Sequence, residues 1–285
     1  MRGRPFCYAK GNNIQRPGEK EPFGFDFFLA AEKETAEVRV FLDAGERAFG
    51  LDTMTVTHGV ASKEPLRFFI IYFFHGTNET QDSFIGDELV KNAIDNMIDM
   101  GICEPFLMVC PTYYYDYENR STNHAVFVDE VRNDLMPAAE AKYSTYAPTA
   151  DDAGFTASRE HRAFSGYSQG SGVCWTVSYR MLDWAKWFVP MSFSTPDYLP
   201  NLKKAMETYG KSGTDIFFYI CTGGKRDLAY EGTVALANAM IADEAFSYGT
   251  NPAENNCYAA ISKEIHQTLK GRFNLYNVFQ DVLFK

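Results

Sequence analysis

The amino-acid sequence predicts an α/β protein in which a mostly parallel sheet is covered by helices on both faces. Three observations point there. Short continuous apolar runs recur, such as "RFFIIYFF" at 67–74, and they read as strands buried on both sides. Segments with helical spacing alternate with these runs through most of the chain. The 285 residues are 46% hydrophobic and 22% charged, which is enough for a sizeable core in a single domain over 1–285.

Residues 1–60 are the least regular part; "EVRVFLD" and "MTVTHGV" within them read as early antiparallel strands. "RFFIIYFF" is the first fully buried strand, and His75-Gly76-Thr77-Asn78-Glu79 follows it as a loop. "GDELVKNAIDNMIDMG" places Leu89, Ala93, Ile94, Met97 and Ile98 on one helical face. "PFLMVCPT" is a second buried strand and runs into a tyrosine-rich loop, "PTYYYDYEN" at 111–119. "HAVFVDEVRNDL" has helical spacing through Phe127, Val131 and Leu135 and should end near Pro137, which lacks the N–H a helix needs. "HRAFSG" is a short strand and "QGSGVCWTVSYRML" the helix after it; "WFVPMSF" and "IFFYICTGG" are further strands. "EGTVALANAMIADEAF" and the C-terminal "FNLYNVFQDVLF" are helices, and Trp175 and Trp187 belong to the core.

The net charge is -10 and no basic cluster stands out, which argues against nucleic acid or anionic membranes as partners. No stretch reaches the length of apolar sequence that a membrane span needs. The charged start lacks the apolar core of a secretory signal, so either the protein stays inside the cell or an export signal has been removed. The six cysteines are scattered without a CxxC pair, which speaks against a metal knuckle. Cys110, Cys174 and Cys221 read as buried thiols, while Cys7, Cys103 and Cys257 are candidates for pairing in an oxidising compartment.

The chemistry concentrates around "AFSGYSQGSG" at 163–172, where Gly166-Tyr167-Ser168-Gln169-Gly170 fits G-x-S-x-G. A chain of this length meets the pattern by chance about one time in ten, given ordinary glycine and serine usage. Its place between a strand and a helix gives it weight, because a nucleophile elbow needs that context. A serine forced into a tight turn needs neighbours without side chains, and the following helix then aims its N-terminus at it. The Gln169 N–H faces the position of a developing oxyanion. The competing reading is an ordinary glycine-rich turn.

Such elbows are followed in chain order by an acid and then a histidine. Of His58, His75, His124, His161 and His266, only His266 follows Ser168, which makes it the general base. For the acid, Asp227 lies on the loop at the carboxyl end of "IFFYICTGG", where active-site groups of open α/β sheets collect. Asp197, one strand too early, and Asp243, inside a helix, are the alternatives. A second oxyanion donor is expected from the loop after "IIYFF": the Thr77 N–H foremost, with Gly76 possible. His75 is read as holding that loop.

Several blocks carry a resemblance. "FFHGTNET", "NAIDNMIDMGICEPFLMVCPT", "FVDEVRNDLMPAAEAKYSTYA", "SREHRAFSGYSQGSGVCW", "LDWAKWFVPMS", "TGGKRDLAY" and "HQTLKGRFNLYNVFQDVLF" together resemble carbohydrate esterase family 1, closest to its feruloyl and acetylxylan esterases. The resemblance implies an α/β-hydrolase fold, no cofactor, and export. The family's serine, aspartate and histidine fall on Ser168, Asp227 and His266. It implies a serine esterase that removes ester decorations from plant cell-wall polysaccharide through an acyl-enzyme, with feruloyl esters on xylan foremost. An acetylxylan or short-acyl esterase is the alternative, and a catalytically silent carbohydrate-binding relative comes third. The intact set of three residues argues against the last. Partners are therefore feruloylated or acetylated polysaccharide, with Tyr113, Tyr114 and Tyr115 as candidate ring contacts. The chain departs from the family pattern at Gln169, where methionine is usual, at "HGTNE", at "SFSTPDYL" and around "EIHQTL". These departures bear on substrate preference more than on reaction class.

Overall fold

The structure, a computed structural model, describes residues 67–116 and 121–285, with backbone alone at Tyr115, Asp116 and Ser121, together with the backbone of four strands nearer the amino terminus. Twelve strands are seen among the described residues. Eight form one sheet: β1 (Cys7–Gln15), β2 (Pro22–Leu29), β5 (Phe69–Phe74), β6 (Phe106–Pro111), β9 (Arg162–Tyr167), β10 (Trp187–Met191), β11 (Phe217–Thr222) and β12 (Cys257–Ile261). Their order is β1-β2-β6-β5-β9-β10-β11-β12; the six strands from β6 to β12 run parallel, and β2 is antiparallel to both β6 and β1. The early strands expected around "EVRVFLD" and "MTVTHGV" do pair antiparallel, as β3 (Ala36–Arg39) with β4 (Thr53–Val56), but in a separate two-stranded sheet. The strands that extend the main sheet, β1 and β2, were not expected. A third small ribbon pairs β7 (Tyr114–Asp116) with β8 (Ser121–Thr122).

Residues of β5 show why the sheet is sandwiched. Ile70, Tyr72 and Phe74 face one layer, Ile71 and Phe73 the other, and all five are buried. On the first side pack α3 (His124–Glu130), α4 (Met136–Lys142), α5 (Asp152–Ala157), α6 (Gln169–Met181), α7 (Leu199–Tyr209) and α8 (Tyr230–Ile241). The other side is covered by α1 (Asp82–Ile85), α2 (Glu88–Asp99) and α9 (Gly271–Asp281). Trp175 and Trp187 lie in these two cores, as the sequence suggests.

Three expectations need correcting. The α2 core stripe is Val90, Ile94, Met97 and Ile98; Leu89 is one position off it and 56% exposed. The helix from His124 does not end at Pro137. A π-turn over Val131–Leu135, closed by Met136 N–H to Val131 O, widens the spiral, and the proline falls in the first turn of α4, where no helical donor is required. Cys103 and Cys257 are free thiols and do not pair with each other, and the Cys7 side chain lies outside the described residues. Cys110, Cys174 and Cys221 are buried, as expected.

The chain continues from β5 to β6 on one side of the sheet and from β6 to β9 on the other. The order therefore reverses beside β5, and a crevice opens at the carboxyl ends of β5 and β9. No helix among the described residues is long and apolar enough to cross a membrane.

Candidate active site

Ser168 stands between β9 and α6 at φ 55° and ψ −116°. This is a strained conformation for a residue with a side chain, costing about 1–3 kcal/mol. Its N–H donates to Met191 O of β10 at 2.8 Å, and its carbonyl accepts from Ser171 N–H at 2.9 Å. The two glycines of the motif are steric necessities. A Cβ on Gly166 would lie 2.2 Å from Gly170 O, and one on Gly170 would lie 2.1 Å from Phe74 O. Elbow and β5 thus meet backbone to backbone.

His266 arrives from the segment after β12. Its Nε2 lies 2.9 Å from Ser168 Oγ and its Nδ1 2.8 Å from Asp227 Oδ1. An ionised carboxylate only accepts, so Nδ1 carries the ring proton and the Nε2 lone pair is left for the serine hydroxyl. Asp227, on the loop after β11, is 4% exposed. Its Oδ1 also accepts from Ala229 N–H at 2.8 Å, and its Oδ2 from Gly223 N–H at 3.0 Å and Ser192 Oγ at 2.9 Å. Burial alone pushes this carboxyl upward; the hydrogen bonds from His266, the two backbone amides and Ser192 outweigh that and hold it below the usual carboxylate range. The three residues expected from chain order are thereby brought into one relay. The alternative acids are not. Asp243 binds Lys203 Nζ at 2.6 Å, and Asp197 is exposed in the turn before α7.

Two of the three backbone N–H groups expected at an oxyanion site are left without a partner among the described residues. Gln169 opens α6 directly after Ser168, and its N–H has no acceptor among the described residues; the same holds for the exposed Thr77. Gly76 is excluded, because its N–H donates to Glu79 Oε2 at 2.7 Å. His75 has the holding role read from the sequence. Its ring lies 2.8 Å from Gly76 O through Nδ1 and 3.0 Å from Thr112 Oγ1 through Nε2, and it stacks on Tyr113 at 4.4 Å. Burial pulls its imidazole down to about 4, so it is neutral and unsuited to proton exchange with Ser168 at neutral pH.

The tyrosines are a correction. Tyr113 and Tyr114 are 1% and 3% exposed and so present no surface to a ring. They sit beneath the His75–Glu79 loop instead: Tyr113 Oη donates to His75 O at 2.8 Å, and Tyr114 Oη accepts from Asn78 N–H at 3.0 Å. Their apolar bodies complete the core while their hydroxyls supply polar partners. The side chain of Tyr115 lies outside the described residues. Sequence reasoning missed four supports. Ser192, at φ 55°, holds Asp227; Glu79 holds Gly76; Thr112 holds His75; and Tyr167 Oη accepts from Gln267 N–H at 2.8 Å, fixing the residue after His266.

No family model matches the chain. Over 200 residues, 68% of the chain, it is 30% identical to endo-1,4-beta-xylanase Y of Acetivibrio thermocellus, and it spans only 18% of that relative's length. Among solved structures, it is similar to a serine-to-alanine variant of the feruloyl esterase module from Clostridium thermocellum complexed with sinapinate. There the TM-score is 0.75 and the identity 23%, covering 98% of this chain and 87% of that one. A carbohydrate esterase family 1 ferulic acid esterase from Anaeromyces mucronatus, in complex with ferulic acid, superposes with TM-score 0.65 at 13% identity, covering 100% of this chain and 93% of that one. The fold is that of the α/β-hydrolases.

Proposed function

We propose that this chain is a serine esterase that removes feruloyl groups from plant cell-wall xylan through an acyl-enzyme. The observation that carries the proposal is the relay from Ser168 Oγ through His266 to the buried Asp227, set on a strained elbow. Ser168 attacks the acyl carbon while His266 Nε2 takes its proton, and the imidazolium so formed is stabilised by Asp227. The Thr77 and Gln169 N–H groups bind the oxyanion of the tetrahedral intermediate, with the N-terminus of α6 adding its dipole. The tetrahedral intermediate then collapses: the bond from the acyl carbon to the sugar oxygen breaks, and that oxygen takes the proton from His266 to leave as a hydroxyl. Water, deprotonated by His266, attacks the acyl-enzyme in the same way and releases the acid and Ser168.

Support for the acyl group comes from the similar proteins, whose names carry feruloyl and ferulic acid esterase and whose bound molecules are sinapinate and ferulic acid. The match to a xylanase of which this chain spans 18% agrees with a xylan substrate. Burial of an aromatic acid removes apolar area from water at about 25 cal/mol per Å². A fitted cleft therefore favours ferulate over acetate, and we expect at least a tenfold difference, about 1.4 kcal/mol in transition-state binding. The test is kcat/KM for methyl ferulate and for acetylated xylo-oligosaccharide under one set of conditions. Equal values, or a preference for acetate, would replace this reading with the acetylxylan one.

A further inference from the structure

Among the described residues, Tyr114 is the one side chain hydrogen-bonded both to the loop of Thr77, at Asn78, and to Gln169. It stands at the start of β7, three residues beyond the end of β6, and is 36 residues from Asn78 and 55 from Gln169 in sequence. Its phenolic oxygen accepts from Asn78 N–H at 3.0 Å and donates to the Gln169 side-chain Oε1 at a longer 3.3 Å. One hydroxyl has one proton and can do both at once. The ring is held by packing against His75 at 5.1 Å and Tyr113 at 5.0 Å, and its backbone N–H donates to Thr112 Oγ1 at 3.3 Å. The residue is therefore set from below by groups that also fix His75.

Both partners adjoin an oxyanion donor. Asn78 follows Thr77 and sits at φ 65°, a conformation that asparagine tolerates better than most residues but that still needs support from its surroundings. The turn it belongs to is closed by Glu79 N–H to Gly76 O at 3.3 Å, a long bond. Gln169 is the first residue of α6 and donates through its own backbone. Its side-chain amide places a polar group directly beside the nucleophile. An amide oxygen in that position gives the buried tyrosine hydroxyl an acceptor; a thioether is a weak one.

We propose that Tyr114 is a positioning residue that clamps the Thr77 and Gln169 N–H groups at the spacing an oxyanion needs, through Asn78 on one side and the Gln169 side chain on the other. The proposal rests on the serine-esterase reading above. It differs from a packing role in a measurable way. A clamp acts where charge develops, so its loss weakens transition-state binding and leaves ground-state binding alone.

The test compares wild type, Tyr114→Phe, Gln169→Met and the double variant in hydrolysis of 4-nitrophenyl acetate, and in inhibition by phenylboronic acid, which forms a tetrahedral adduct on an activated serine. For Tyr114→Phe the expected result is a fall in kcat of about tenfold, with KM within twofold and the boronate affinity reduced by the same factor as kcat. Gln169→Met loses less, and the double variant is no worse than Tyr114→Phe, because both changes break one link. Melting temperature follows folding separately. The proposal is overturned if kcat stays within twofold of wild type, if KM and kcat suffer alike, or if the two changes add independently. Wild type that fails to hydrolyse the activated acetate overturns the esterase reading itself and the clamp with it; an active wild type with an unimpaired Tyr114→Phe overturns the clamp alone.

Discussion

Four hydrogen bonds converge on the two oxygens of Asp227, from His266, Ala229, Gly223 and Ser192, and only the first concerns the base. The other three fix the carboxylate so that the imidazole, rather than the carboxylate, adapts during proton transfer. Asparagine at this position would keep the shape but present an N–H to His266 and favour the wrong tautomer. Asp227→Asn is expected to lower kcat about 10³- to 10⁴-fold. Asp243→Asn, whose carboxylate serves Lys203, should stay within about twofold of wild type, as expected for a partly exposed pair away from the relay. Steady-state hydrolysis of a single ester by both variants checks the assignment, and the opposite ranking would move the acid to Asp243, which lies in the turn after α8 rather than inside a helix. At this scale the sequence was legible where chain order restricted the choice, as with His266. It was silent on Ser192 and Tyr167, because a hydroxyl that supports a neighbour from another strand leaves no local pattern. It misled at Tyr113 and Tyr114, where aromatic residues beside a site were read as surface but are anchored through their hydroxyls below it.

The elbow is where local chain geometry decides function. Strand β9 delivers Ser168, α6 turns away at once, and the contact of Gly170 with the end of β5 sets how far the oxyanion loop lies from the nucleophile. Gly170→Ala would place a Cβ 2.1 Å from Phe74 O and 2.5 Å from His75 O, neither of which is the yielding end of a side chain. β5 is fixed between β6 and β9, so relief has to come from α6 itself. The expected outcome is loss of at least about 2–3 kcal/mol of stability in denaturant titration, within the range of overpacking changes, together with loss of nearly all activity in the folded fraction. The elements with continuous apolar runs were read correctly because their burial on both faces writes itself into the sequence. Strand β12, "CYAAI", sits at the sheet edge with Tyr258, Ala259 and Ala260 only half-buried, and so lacks such a run. Helix α7 shows its stripe, Leu202, Ala205 and Met206, only once its polar residues are seen to face outward. Pro137 was over-read, since a π-turn can absorb a proline that a regular helix would not.

At the scale of the whole molecule, a buried ion pair joins the helical layer to the sheet. Arg162 of β9 meets Glu140 of α4 through two bonds of 2.7 Å, with both side chains essentially inaccessible. Tyr72 of β5 and Thr145 add donors to the same carboxylate at 2.9 and 3.1 Å, while Ser158 Oγ and the carbonyls of Phe155 and Trp184 accept from the guanidinium. Every polar atom of the pair is met, so the pair is tolerated, but removing one partner strands the other charge. Glu140→Ala should cost about 3–5 kcal/mol. Asp129→Ala, breaking the half-exposed pair with Arg180, should cost about 1 kcal/mol or less. Unfolding midpoints of the two variants decide between them. Through Tyr72 and Arg162 the Glu140 carboxylate ties together β5 and β9, whose carboxyl ends lead to the loop of Thr77 and to Ser168. The parallel sheet itself was foreseen; the antiparallel β1 and β2 that extend it were not, because the early part of the chain has neither long apolar runs nor clear helical spacing.

The central claim is that Ser168 is an activated nucleophile, and reaction with a fluorophosphonate tests it without any assumption about the natural ester. Intact-protein and peptide mass spectrometry after brief exposure at neutral pH should show one phosphonyl group per chain, located on Ser168. The adduct should be absent in Ser168→Ala and formed at least about 10³-fold more slowly in His266→Ala, because the two residues act as a unit. An unlabelled wild type, a label on another residue, or equal labelling of wild type and His266→Ala would contradict the account.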